Sequence, residues 1–376
     1  MRKVMTLVGT RPELIKMSRV ISELDVHTQH VLVHSGQNYD FELNEVFFRD
    51  LGIRRPDHFL GVAAATTAKT ISEVISRTDD VLAQEQPEAL LLYGDTNTCL
   101  AVISAKRRKI PIFHMEAGNR CFDERVPEEL NRKVVDHLSD VNLVLSEHAR
   151  RYLIAEGIRP ETIIKTGSHL PEVLAHAMPR IQASDVLART QVEPGRFFTV
   201  SAHREETVDT PDRLSELLRT LGAIAAEWKM PIIFSTHPRT RKHLEALSET
   251  VDPLVRFLPP FGYNDYVKLQ LESFCVLSDS GTITEEASLL NLPAVTIRDT
   301  HERPEGMDVG TVVMCGLRQD HVLDAIRVVT RQHDRTRRVF PVVPDYETGP
   351  VSKQVVRIVL SYIDYVNRTV WRRGYD

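Results

Sequence analysis

Acidic residues and histidines recur where short apolar runs end. Ala89–Tyr93 is followed by Gly94-Asp95-Thr96-Asn97, and Ile110–His114 by Met115-Glu116-Ala117-Gly118. Phe197–Ser201 leads to Ala202-His203-Arg204, Pro231–Ser235 to Thr236-His237-Pro238, and Cys275–Ser278 to Asp279-Ser280-Gly281-Thr282. Carboxylates and imidazoles are the groups that move protons at neutral pH. Gly9-Thr10-Arg11-Pro12 and Ser280-Gly281-Thr282 each open a helical pattern, where free backbone N–H groups favour an anion. The alternative at both places is ordinary N-capping by Thr10 and Ser280. Neither segment is a GxGxxG or Walker loop, so dinucleotide and P-loop readings fail. The clustering of Asp, Glu and His at strand ends in both halves marks a site, and the two helix starts make an anion a candidate ligand.

Such residues need strands to present them. Further runs at Val4–Val8, His30–His34, Val141–Leu145 and Ile163–Thr166 alternate with helical stretches such as Glu13–Leu24 and Thr70–Gln84. Val255–Leu258, Ala294–Ile297 and Thr311–Met314 continue the alternation, with helices expected over Asp212–Trp228, Arg239–Glu249, Tyr263–Glu272, Thr282–Leu290 and Asp320–Arg331. This predicts an α/β chain with parallel sheets covered on both faces. The polar stretch Pro179–Gly195 interrupts the pattern and reads as a linker. With 376 residues and roughly 150 per domain, two doubly wound, Rossmann-like domains facing a central cleft are expected. They are residues 1–178 and 179–350, with a C-terminal helix over 351–376 returning to the first. Ligands should lie outside the C-terminal strand ends.

Forty-seven Lys and Arg against 52 Asp and Glu leave a net charge of −5, a poor match to a nucleic-acid binder. Lys106-Arg107-Arg108-Lys109 and Arg335-Thr336-Arg337-Arg338 read as solvated faces. Cys99, Cys121, Cys275 and Cys315 lack metal-ligand spacing and are expected to be free thiols. No apolar run is long enough for a signal peptide core or a membrane span, so the expected place is the cytoplasm.

Six segments, in order, carry a resemblance. Gly9-Thr10-Arg11-Pro12-Glu13, Gly94-Asp95-Thr96, Glu116-Ala117-Gly118-Asn119-Arg120, Pro127-Glu128-Glu129-Leu130-Asn131-Arg132, Asp279-Ser280-Gly281 with Glu285-Glu286, and Glu302-Arg303-Pro304-Glu305 together resemble the non-hydrolysing UDP-N-acetylglucosamine 2-epimerase family. The resemblance spans essentially the whole chain. It implies a GT-B-like fold, UDP held mainly by the second domain, and inversion at C2 of a UDP-linked 2-acetamido sugar with neither cofactor nor metal. It also implies a homodimer; the charge and hydropathy above lead to no expected nucleic-acid or membrane partner.

Carried over by position, the resemblance makes Asp95, Glu116 and Glu128 the acidic catalytic residues and His203 the donor to departing UDP. Which carboxylate removes the C2 proton and which returns one stays open. Arg11, Lys16, Gln37, Arg132, His237, Ser280, Gly281, Thr282, Glu286 and Arg303 are the implied substrate contacts. Among these, Arg11 would meet diphosphate or uridine, and Glu286 the ribose hydroxyls. A solvated helix face is the other reading of Lys16, and an i,i+4 salt bridge that of Glu128 with Arg132.

Gly36-Gln37-Asn38 and Gly61–Ala65 depart from the segments with which some family members bind an activating second nucleotide sugar. The segments Cys121–Pro127 and Gly167–Val173 and the ending Asp364–Arg368 look closer to a branch serving capsule and O-antigen sugars. Three other functions remain: a glycosyltransferase of the same fold, a hydrolysing 2-epimerase, and a catalytically silent nucleotide-sugar sensor.

Overall fold

A computed structural model describes residues 1–36, 48, 51–62, 64, 66–247 and 251–373. The chain forms two compact units, one of Met1–Ala175 with Asp345–Asp376 and the other of His176–Pro344.

The first unit is built on a seven-stranded sheet. Its strands are β1 (Lys3–Val8), β2 (Gln29–His34), β3 (His58–Phe59), β4 (Ala89–Tyr93), β5 (Ile112–Ala117), β6 (Val141–Val144) and β7 (Ile163–Lys165). The order is β3-β2-β1-β4-β5-β6-β7, and every pairing is parallel. β4 reads Ala-Leu-Leu-Leu-Tyr and is buried at all five positions, as a strand covered on both faces must be. β1 pairs with β2 on one side and β4 on the other. The chain therefore leaves these two strand ends in opposite directions, which opens a crevice at their C-terminal ends.

The second unit repeats the plan with β8 (Phe198–Ser201), β9 (Ile232–Ser235), β10 (Val255–Leu258), β11 (Cys275–Ser278), β12 (Ala294–Thr296) and β13 (Val313–Met314). Its order, β10-β9-β8-β11-β12-β13, places the reversal between β8 and β11.

Two expectations change. The stretch read as a linker is largely helical: Pro179 lies inside the helix Leu170–Gln182, and a short helix follows at Val186–Thr190. The chain passes between units at Ala175–His176. Ala175 is the residue whose carbonyl Pro179 has no N–H to meet, so the missing helical hydrogen bond falls at the unit boundary. At the other end, the first unit regains the chain from Asp345 rather than from 351. Asp345 explains this, since its carboxylate takes Lys165 at 2.7 Å and the N–H of Glu147 at 3.2 Å, and its carbonyl accepts the N–H of Ser168 at 3.0 Å. The helix Val351–Thr369 then packs against Arg11–His27, burying Val355, Val359, Ile363 and Val366. The four cysteines are free.

Behind the β5 strand end lies a buried ionic cluster. His114 Nδ1 is 2.8 Å from Asp136, and its Nε2 is 2.7 Å from the carbonyl of Gly94. Arg120, wholly buried, donates to Asp136 at 2.7 Å and, through Nε and Nη2, to Glu156 at 2.7 Å. Burial by itself would raise the Asp136 pKa, but His114 and Arg120 outweigh it and hold the carboxyl below its usual value. The cluster ties the end of β4 to the end of β5. Asp136→Ala should therefore cost about 3–5 kcal/mol by leaving Arg120 buried without that partner; an unchanged urea midpoint would disprove this.

Candidate active site

Each unit presents its polar residues at its own strand reversal. In the first unit the β1 end, Gly9-Thr10, leads into the helix Arg11–His27, with Pro12 in its first turn. The Glu13 carboxylate reaches back to accept the N–H of Gly9 and, at 2.9 Å, that of Thr10; its other oxygen accepts from Thr96 Oγ1 at 2.6 Å. Thr10 and Glu13 form a capping box at this helix start, the alternative reading of the segment. A Cβ on Gly9 would collide with the hydroxyls of Thr98 and Ser35, so the close crossing of the β1 and β4 ends requires glycine there.

Asp95 follows β4. Arg132, from the helix Pro127–Leu138, places Nε and Nη2 at 2.8 and 2.7 Å from Asp95 Oδ2. The same guanidinium donates through Nη1 to Glu129 at 2.8 Å, and Asn131 Nδ2 donates to the Asp95 carbonyl at 2.9 Å. Arg132 thus bridges Asp95 and Glu129. Glu129 is wholly buried and also accepts the N–H groups of Cys121 and Phe122 at 3.0 and 3.2 Å. Burial would raise its pKa, yet the Cys121 N–H and Arg132 hold it below the ordinary value. Glu128, half-buried, sits in the first turn of the same helix.

Glu116 departs from the sequence reading in a different way. β5 runs on to Ala117, so Glu116 is a strand residue, and the register shifts between Met115 and Ala117. Its φ of 64° is left-handed, an uncommon state for a residue with a Cβ and one found at functional sites. The bulge re-aims the side chain. Lys16 Nζ lies 3.0 Å from Glu116 Oε2, and the Tyr93 hydroxyl donates to the same oxygen. Lys16 is 5% exposed, which removes the solvated-face reading.

In the second unit the buried carboxylate of Asp279, past β11, accepts the N–H groups of His203 and Arg204 at 2.8 and 2.9 Å. Its other oxygen is 3.3 Å from His203 Nδ1. The His203 and His237 rings are 5.9 Å apart, and His237 caps the helix Pro238–Ala246 by accepting the Arg239 N–H at 3.3 Å. Ser280 Oγ accepts the N–H of Thr282 at 3.3 Å as the helix Thr282–Leu290 begins. A Cβ on Gly281 would overlap the Glu302 carboxylate, and Glu302 itself pairs with Arg298 at 2.7 Å and Arg204 at 3.4 Å. Arg303 and Glu286 are turned to protein partners: Arg303 to Glu285 at 3.1 Å, Glu286 to Gln270 at 2.7 Å.

The structure therefore groups Lys16, Tyr93 and Glu116, and separately Asp95, Arg132 and Glu129, in the first unit. It groups His203, His237 and Asp279 in the second. Arg11 is half-exposed at the start of its helix. Gln37 lies outside the described residues. Glu13, Tyr93, Glu129 and Asp279 were not singled out from sequence, although Glu13, Glu129 and Asp279 stand inside motifs that were. No group of described residues has the makeup of a metal site, and no described helix is long and apolar enough to cross a membrane.

Residues 22–360 match the family model described as UDP-N-acetylglucosamine 2-epimerase. A UDP-2,3-diacetamido-2,3-dideoxy-D-glucuronate 2-epimerase of Pseudomonas aeruginosa is 33% identical over 86% of this chain and 91% of its own. Among solved structures, a UDP-N-acetylglucosamine 2-epimerase from Rickettsia bellii is 59% identical, with a TM-score of 0.93 over 99% of this chain and all of the other. The Methanocaldococcus jannaschii UDP-GlcNAc 2-epimerase in complex with UDP-GlcNAc and UDP is 29% identical, with a TM-score of 0.89 over 96% of this chain and 99% of that one.

Burial pushes the Glu13 carboxyl up to about 7, against the lowering effect of its three donors. The folded chain then binds more protons than the unfolded one between the ordinary carboxyl range and about pH 7. This group's contribution therefore falls as pH rises through that window, by roughly 3 kcal/mol, and is constant above it. Relative to wild type, Glu13→Gln should gain stability from pH 5 to pH 8 in urea melts. A pH-independent difference would refute this account.

Proposed function

The chain belongs to the UDP-N-acetylglucosamine 2-epimerase family, and from that premise we propose that it inverts C2 of a UDP-linked 2-acetamido sugar without net hydrolysis. The observation that carries this reading is the pair of separately held carboxylates at the strand ends of the first unit, Asp95 on Arg132 and Glu116 on Lys16 and Tyr93.

The C2 proton of such a sugar is not acidic, so simple deprotonation is slow. Elimination avoids the problem. A carboxylate takes the C2 proton, the C–H electrons form the C1–C2 double bond, and the C1–O bond breaks with its electrons leaving on UDP. The product is a 2-acetamidoglycal. In the return step, a carboxyl on the opposite face protonates C2 while a UDP oxygen re-forms the bond to C1. The two faces require two carboxyl groups of opposite protonation, each supplying about 10²–10⁴-fold. Asp95, Glu116 and Glu128 are assigned to this work. Ion pairing keeps Asp95 and Glu116 oriented, and Glu129 supports Asp95 through Arg132.

Charge develops on the departing diphosphate, and preorganised donors there stabilise the transition state. His203 is assigned to the diphosphate, held by Asp279, with His237 beside it. Ser280, Gly281 and Thr282 offer a helix start to a phosphate; Arg303 supports that helix through Glu285. Arg11 is assigned to the diphosphate or uridine, and Glu286 to the ribose hydroxyls. The two substrate classes named for the relatives, UDP-GlcNAc and a UDP-2,3-diacetamido uronate, define the range to test.

Incubation in D₂O with a panel of these sugars should place deuterium at C2 of both epimers and scramble a labelled C1–O–P bridging oxygen. No exchange with any panel sugar would sink the proposal, and free UDP rising in step with released sugar would mark a hydrolysing enzyme instead. Asp95→Asn and Glu116→Gln should each lower turnover by about 10²-fold or more while UDP still binds. Wild-type rates in both would remove these residues from the mechanism.

A further inference from the structure

Tyr93 is the last residue of β4 and is 3% exposed. Its hydroxyl is directed at Glu116 Oε2, the oxygen that also takes Lys16 at 3.0 Å. The ring itself is fixed. His169 meets it edge-on with centroids 5.2 Å apart, and Lys16 Nζ lies 5.8 Å from its centroid. A tyrosine held this way is a preorganised donor, costing little further ordering at the moment of reaction. It meets a carboxylate that the β5 bulge has set in a left-handed backbone state.

Resting on the epimerase reading, we infer that Tyr93 is a positioning residue for the reaction, which together with Lys16 clamps one oxygen of Glu116 and so fixes where that carboxylate points and when it is ionised. The two donors differ in kind. Lys16 supplies charge on a flexible stem, whereas Tyr93 supplies direction from a rigid ring buried in the sheet. The bulge aims the Glu116 backbone, and the clamp sets the last torsions of its side chain. Among the described residues, the other titratable groups on the adjoining elements include His169, Asp95 with Arg132, Glu13 with the amides it accepts from, His114 with Asp136, and Cys99, whose thiol donates to the Tyr93 carbonyl.

The test is the pH profile of kcat/KM for C2 exchange in the whole protein, for wild type, for Tyr93→Phe, and for the chain carrying 3-fluorotyrosine at position 93. Loss of a donor to a carboxylate raises its pKa. Tyr93→Phe should therefore move the limb carried by Glu116 to higher pH by about one unit and lower kcat by about ten- to a hundredfold, with KM little changed. The more acidic fluorophenol, a stronger donor, should move the same limb to lower pH. If Tyr93→Phe does not fold, the fluorotyrosine protein decides alone. A limb unmoved in the folded variants overturns the inference, even if activity falls, because general destabilisation lowers rate without moving it. Absence of exchange in the wild type overturns the epimerase reading, and this inference with it.

Discussion

One device recurs where the structure is under most constraint: a buried carboxylate collecting consecutive backbone N–H groups at a strand end. Glu13 accepts from Gly9 and Thr10, Asp279 from His203 and Arg204, and Glu129 from Cys121 and Phe122. Parallel sheets with a reversal of strand order leave unpaired amides where the two chain directions part. Those amides are wholly or partly withdrawn from water and need acceptors. An internal carboxylate meets two of them at once and fixes the loop that carries the reactive side chain.

The arrangement layers the first unit. The outer residues are the carboxylates of Asp95 and Glu116. Behind them stand Arg132, Lys16 and Tyr93, which hold them, and behind those the ionic cluster of His114, Asp136 and Arg120. The cluster ties the carbonyl of Gly94 to the β5 strand and so sets the spacing of the two loops. Interactions of this kind contribute little net stability relative to well-packed apolar residues. Their value lies in geometry, since proton transfer tolerates little misplacement of the acid and the base.

The net charge of −5 also takes on a local meaning. A chain that is acidic overall cannot draw a diphosphate through its bulk field and must focus positive potential at particular places. Many of its arginines and lysines near the site are already paired with carboxylates: Arg132 with two, Lys16 with Glu116, Arg303 with Glu285 and Arg298 with Glu302. The resemblance assigns Lys16, Arg132 and Arg303 to substrate, and each also holds a carboxylate partner within the protein.

The alternation of apolar runs and helical patterns was sufficient to place nearly every strand, because continuous runs such as Ala89–Tyr93 and Cys275–Ser278 can only be buried in a parallel sheet. The residue types at the strand ends marked where a site lies, and the six motifs, through the resemblance they carry, named the class of reaction. Several features depended on contacts across long separations. Strand β3, two residues long, carries too little pattern to read. The bulge at Glu116 arises from pairing with β6, and the Tyr93–Glu116–Lys16 clamp joins positions up to 100 residues apart. The contact of Thr96 with the Glu13 carboxylate joins positions 83 residues apart. Local pattern sets which residues are inside a strand or a helix. Which donor meets which carboxylate is decided only when the strand order brings distant segments to one edge.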